Sequence, residues 1–311
     1  MNEKDLVLWM KLTQVHKLGP RKIEKLFDIF SSFDIFLSAS KSELFRTRIF
    51  NEEMLQEWEK LKCVADENFL RAIQDCKDNF IEIVTLIDKE YPINLKLTSY
   101  PPLTLYLKGD KNLLQTRKVA MVGSRMSGEE AKKWAYNNAR ILAEKDITVV
   151  SGGAIGIDTA AHKGALDVLN GKTISVLGSG FLKLYPEENI NLFNEISKKG
   201  LLISEHLPRF PGSRISFIQR NRITSGISDA LIMVASGARG GSMVQTKMAF
   251  EQRVPIFCPL LGLNLTPNEG LIQIVKEWNG KEIESVNQLF NCEKSDKSES
   301  ECKNMSLEKF I

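Results

Sequence analysis

Between residues 117 and 290 short apolar, β-branched segments alternate with longer helical patterns, and this alternation limits the fold more than any other feature of the chain. The strand candidates are KVAMVG (118–123), ITVVSG (147–152), TISVLG (173–178), LLIS (201–204), DALIMV (229–234) and VPIFCP (254–259). Helical patterns fill the intervals at 128–145, 157–169, 187–199 and 242–252. Strands that are apolar throughout are buried on both faces, and strand–helix–strand units connect them by right-handed crossovers. The expected fold is α/β, a Rossmann-like, mostly parallel sheet with helices on both faces.

The remaining sequence divides around this domain. Residues 1–85 read as short amphipathic helices broken at Gly19-Pro20, Ser31-Ser32 and 38–40, with no convincing strand before 81–86. They predict a small helical domain of helix-hairpin-helix or SAM-like type. Its segment VHKLGPRKIEKLF (15–27) is similar to half of a helix-hairpin-helix, with Pro20 in place of the usual second glycine, and packing is the preferred reading of it. Pro92, Pro101 and Pro102 restrict the backbone of 86–116, which predicts an extended bridge into the main domain. After Phe290 the polar, charged sequence of 291–311 has too little apolar surface to order itself and predicts a disordered tail.

With 43% hydrophobic and 26% charged residues the composition is that of a globular protein. No apolar run approaches the roughly 20 residues of a membrane span, and the charged start MNEKDLVLWMKL is unlike a secretory leader, so a cytoplasmic location is expected. Five scattered cysteines (Cys63, Cys76, Cys258, Cys292 and Cys302) form no C-x-x-C pair and predict reduced thiols, with neither metal site nor disulfides. The net charge of +3 identifies no partner. Its distribution is more informative: no acidic residue lies between Glu205 and Asp229, whereas His206, Arg209, Arg214, Arg220 and Arg222 do.

Ligands of open parallel sheets bind outside the carboxyl ends of the strands. There the sequence places Gly123-Ser124-Arg125, then Ser151-Gly152-Gly153, then Gly178-Ser179-Gly180, and a further loop ending in Gly240-Gly241-Ser242. Small residues before helix N-termini suit an anion or phosphate, although a tight strand-to-helix turn needs glycine regardless of ligand. Arg214, Phe217, Arg220, Asn221 and Arg222 join arginine forks to an aromatic ring, the usual combination for single-stranded nucleic acid. Phe217 reads equally well as core, and Asn221 as a residue that ties loops together. Asp158 and His162, four apart, fit an acid/base pair less well than a helix-terminal aspartate beside a packed histidine. Phosphate-binding P-loop, complete dinucleotide, zinc-protease and nucleophile-elbow motifs are missing, so no catalytic residue and no cofactor is expected.

The set VGSR (122–125), SGGAIGIDTAAH (151–162), VLGSG with LYP (176–180 and 184–186), SE (204–205) and FIQRNRITSGISDALIMV (217–234) resembles the DprA/Smf family. The likeness extends to 91–110 and 240–259. It implies a protein that binds and protects single-stranded DNA, forms a homodimer and helps load the RecA recombinase in natural transformation, without catalytic turnover. On that resemblance Arg125, Arg214, Phe217, Arg220 and Arg222 line the DNA pocket, and the Gly/Ser loops take phosphates through backbone N–H groups. Two departures stand out. Ile155 occupies the place of the family's usual loop arginine, and the short tail replaces the winged-helix-like domain of many members. By analogy the dimer contacts fall in 242–252 and 271–278. The competing reading is a nucleotide-binding sensor or phosphoribohydrolase-like enzyme of the same superfamily, whose P-G-G-x-G-T core GGSMVQTKMAFE (240–251) lacks.

Overall fold

Every strand expected of the parallel sheet forms, with ends shifted by a residue or two. The structure is a computed structural model that describes residues 1–290; the expected tail at 291–311 lies outside them. The chain forms two compact units, one of Met1–Tyr91 with Ser99–Tyr106, the other of Pro92–Thr98 with the chain from Leu107 onward. The expected bridge is thus divided between the two.

The first unit holds α1 (Glu3–Leu12), α2 (Pro20–Ile29), α3 (Phe33–Ser38), α4 (Lys41–Arg46), α5 (Glu52–Lys62), α6 (Glu67–Asp78) and strand β1 (Glu82–Thr85). Asn2, Ser32, Ser40 and Asn51 cap helices by accepting backbone N–H groups, and Ser40 with Glu43 completes a capping box. Apolar positions at helical spacing bring Trp9, Ile23, Leu26, Phe36 and Trp58 into its core. Lys11 is buried too. It donates to Lys62 O and Val64 O at 3.2 and 2.7 Å and pairs with Asp66 at 2.6 Å, so its charge is compensated.

The second unit opens with α7 (Ile93–Lys96) and takes in the end of β2 (Thr104–Gly109). There follow β3 (Lys118–Val122), α8 (Glu129–Glu144), β4 (Thr148–Ser151), α9 (Ile157–Leu166), β5 (Thr173–Leu177), α10 (Ile190–Lys199) and β6 (Leu201–Ser204). Next come α11 (Arg214–Gln219), α12 (Asn221–Gly226), β7 (Ala230–Met233), α13 (Gly241–Glu251), β8 (Ile256–Pro259), α14 (Glu269–Glu277) and β9 (Lys281–Ile283). Neighbouring strands pair in parallel in the order β6-β5-β4-β3-β7-β8-β9. All residues of β3 to β8 are buried, as their mostly apolar sequences lead one to expect of a sheet covered on both faces. Alanines at 131, 135 and 139 let α8 approach the sheet closely, and they share a core with Val119, Met121, Val149 and Ile232.

Strand order decides where a ligand crevice opens. From β3 the chain steps through β4 and β5 to β6, then returns to add β7 on the other side of β3. The connections after β3 and β7 therefore leave the sheet in opposite directions, and a crevice opens between them.

Candidate nucleic-acid interface

The loops after β3 and β7 meet at this crevice. Ser124 N donates to Ala235 O at 2.8 Å, and a side chain at Gly123 would collide with Ile157 and Ala235 O. Ser124 Oγ then accepts from Met126 N at 3.1 Å, closing a turn that leaves Arg125 and Met126 exposed. Gly156, with φ of 91°, lies beneath that turn, where a Cβ would stand 2.6 Å from Ser124 O. On the β7 side Ser236 Oγ and Ser242 Oγ share a hydrogen bond of 2.8 Å, while Arg239, Gly240 and Gly241 are exposed ahead of α13. Asn221 Nδ2 donates to Gly241 O at 3.3 Å, so Asn221 is the loop tie that its polarity suggested. Gly123, Ser124, Arg125, Asn221, Gly240, Gly241 and Ser242 thus gather at the switch point.

Arg220 belongs to the same place and differs from expectation. It stands between α11 and α12 and is 5% exposed, so it is no surface fork. Its guanidinium lies over Gly152, where a Cβ would fall 1.5 Å from Nη1. Gly152 thus leaves room for an arginine of the chain itself at the place where a phosphate was expected. Nε and Nη1 of Arg220 are buried without a hydrogen-bond partner. Burial lowers the pKa of the group; the charge of Asp158 opposes that fall, and Arg125 adds to it.

Asp158 in the first turn of α9 accepts from Gly152 N and Ala154 N, both at 3.2 Å. A phosphate bound in the loop ahead of α9 would use such backbone N–H groups. Here the chain's own carboxylate uses them. Burial pushes the Asp158 carboxyl up, against the pull of Arg220 and of its hydrogen-bond donors. Gly153 serves packing as well, for at φ of 74° a Cβ would meet the Phe193 ring at 2.4 Å. Ser151 Oγ donates to Met121 O at 2.7 Å and ties β4 to β3. The second loop is a buried foundation of the site and not its surface, although Ile155 on it is 44% exposed.

The third loop is covered. Gly178, Ser179 and Gly180 are buried, and a Cβ on Gly178 would strike Phe217 while one on Gly180 would strike Leu207 O. Gly180 N donates to Phe210 O at 2.8 Å, Ser216 Oγ to Gly178 O at 2.7 Å and Ser204 Oγ to Ser179 O at 2.8 Å. The segment 207–217 thus lies over this loop, whose small residues admit protein atoms where a phosphate cradle was expected. Phe217 itself is half-buried. Arg214 is exposed at the first residue of α11, where the Ser213 and Ser216 capping box starts the helix. Arg222 is engaged elsewhere, its Nη1 donating to Glu205 Oε1 at 2.7 Å and its Nη2 to Glu205 Oε2 at 2.5 Å. The acidic neighbour at the edge of the arginine-rich span holds one of that span's arginines.

His162 is packed as the sequence suggested. Its Nδ1 shares a hydrogen bond of 2.7 Å with Thr173 Oγ1, and burial, with Arg220 contributing, holds its pKa at about 3. Sequence reasoning passed over Arg239, which sits in the fourth loop it singled out, and Tyr185, which it noted only as part of a motif. Exposure on an ordered loop is the property that marks both, and no sequence pattern reports it.

The model of the DNA recombination-mediator protein A family matches residues 82–293, which include every element from β1 to β9. The chain belongs to that family. Among curated members, DNA processing protein DprA of Bacillus subtilis is 34% identical over 188 residues, 60% of this chain and 63% of that protein. Protein Smf of Synechocystis is 29% identical over 297 residues, 93% of this chain and 73% of that one. The chain thus spans less than two thirds of the Bacillus relative. The X-ray structure of DprA from Streptococcus pneumoniae superposes with a TM-score of 0.76 at 25% identity, covering 93% of this chain and 97% of that one. DprA from Helicobacter pylori, a protein described for its single-stranded DNA binding mode, superposes with a TM-score of 0.60 at 30% identity over 68% of this chain and 94% of its own.

Proposed function

We propose that the chain binds single-stranded DNA across the switch-point crevice. The observation that carries this reading is the pair of exposed arginines, Arg125 and Arg239, on the two loops that part there, with the guanidinium of Arg220 buried beneath. Cationic forks on ordered loops suit phosphates, and the small residues beside them allow a backbone to approach. Gly123, Ser124, Gly240, Gly241 and Ser242 supply that approach, and Arg214 extends the cationic surface at α11. Membership of the family and the single-stranded DNA binding of the Helicobacter relative support the reading. Its finer part is a role as a homodimer that protects single strands and hands them to the RecA recombinase in the cytoplasm, breaking no bond. Exposed apolar residues on α13 and α14, among them Val244, Phe250 and Ile272, fit a pairing surface. No helix among the described residues is long and apolar enough to cross a membrane.

The nucleotide-binding alternative loses ground to Asp158, which takes two of the loop N–H groups, those of Gly152 and Ala154, that a phosphate would need ahead of α9. Titration of a labelled single-stranded oligonucleotide, with its duplex as control, tests the proposal. The expected result is preference for the single strand, with log K falling against log salt by roughly 0.7 per phosphate contact. Equal binding of duplex, or no dependence on salt, would overturn it.

A further inference from the structure

The outermost aromatic ring beside the arginine-rich helix is not Phe217. Phe217 is wedged between two glycines: a Cβ on Gly178 would come within 2.4 Å of its Cδ1, and one on Gly212 within 2.9 Å of its Cζ. Tyr185 closes over it, with ring centroids 5.2 Å apart and planes tilted by 49°. Tyr185 is 46% exposed, so Phe217 backs a second ring that faces solvent.

That ring stands on an ordered loop. Leu182 N donates to Pro208 O at 2.8 Å, and Lys183 N to Gly180 O at 3.0 Å. On the far side Asn189 N donates to Pro186 O at 3.1 Å, while Asn189 Nδ2 holds Gly153 O and Thr159 Oγ1 at 2.9 and 2.8 Å. An exposed aromatic ring fixed by its backing loses little freedom when a flat partner stacks on it. Local charge narrows the class of partner. Exposed Glu187 and Glu188 follow Tyr185 after the buried Pro186, with the exposed Lys183 two residues before it; two carboxylates against one ammonium disfavour a phosphate but not the neutral face of a base. We propose that Tyr185 is a nucleobase-stacking residue, with Phe217 positioning it. The proposal rests on the single-stranded DNA reading above and adds to it a seat for a base, apart from the arginines that take the backbone.

Stacking and phosphate contact respond differently to salt, and this separates them. Binding of a single-stranded oligonucleotide carrying 2-aminopurine is measured for the wild type, Tyr185→Ala, Tyr185→Phe and Arg125→Ala at several salt concentrations. Tyr185→Ala should lose about tenfold in affinity with an unchanged salt slope, and Tyr185→Phe should bind like the wild type. Arg125→Ala should flatten the slope by about 0.7. The wild type should quench 2-aminopurine, and Tyr185→Ala should not. Unchanged affinity in Tyr185→Ala, a slope that falls with it, a Tyr185→Phe variant as weak as Tyr185→Ala, or no quenching by the wild type each overturns the proposal. A wild type that binds no single strand at all removes the functional reading itself; a wild type that binds with Tyr185 indifferent removes only the stacking seat.

Discussion

Arg220 and Arg222 are two positions apart in one motif and have different fates. Arg220 turns inward over Gly152 and stays without a partner at Nε and Nη1, whereas Arg222 closes a bidentate pair with Glu205. Their identities were legible in the sequence but their directions were not, because helix phase and a glycine some 70 residues away decide them. Arg222→Ala should therefore act on stability. Glu205 would be left largely buried and unpaired, at a cost of about 1 to 3 kcal/mol in the unfolding free energy measured with urea. The salt slope of DNA binding should stay that of the wild type. A slope reduced as far as that of Arg125→Ala would return Arg222 to the interface.

Among the elements, β3 to β8 were placed within two residues, since apolar, β-branched runs leave little choice, whereas the short, charged β9 at the sheet edge was not seen. What escaped was which strand-to-helix loops lie open. Gly178-Ser179-Gly180 and Gly123-Ser124-Arg125 look alike in sequence; only the strand order puts one beneath 207–217 and the other at the switch point. The buttress behind the site is an element-scale contact, in which His162 of α9 meets Thr173 of β5, and Thr173 Oγ1 donates to Val149 O of β4 at 2.7 Å. His162 has a folded pKa of about 3 against an ordinary 6.5, so protonation favours the unfolded chain. Its contribution is full above pH 6.5 and declines as pH falls towards 3. From pH 6.5 to about 4.5 the loss from this one group should reach about 2 to 3 kcal/mol. Urea unfolding at the two pH values should show the wild type losing that much more than His162→Gln. Equal losses would mean that the ring is not held neutral.

For the whole molecule, the chain passes between its two units more than once, because 92–98 belongs with the second unit and 99–106 with the first. The boundary read from the sequence, a single bridge, missed this exchange, which depends on contacts distant in sequence. Leu95 of α7 is fully buried, its Cδ1 2.8 Å from where a Cβ on Gly226 would stand. A fragment beginning at residue 107 should be less stable than one beginning at residue 92 by about 2 to 5 kcal/mol, the usual cost of an emptied leucine site. Thermal unfolding of the two fragments decides this, and equal midpoints would show α7 to be dispensable.

Asp158 carries the consequence furthest from its own position. By turning a carboxylate of α9 back onto the N–H groups of Gly152 and Ala154, the protein withdraws those two donors from any phosphate. A strand does not need them, since many weak contacts along its length act together and each raises the effective concentration of the next. On the proposed reading the internal carboxylate makes this loop a fixed footing, and the grip on a strand falls to the exposed loops on either side of it.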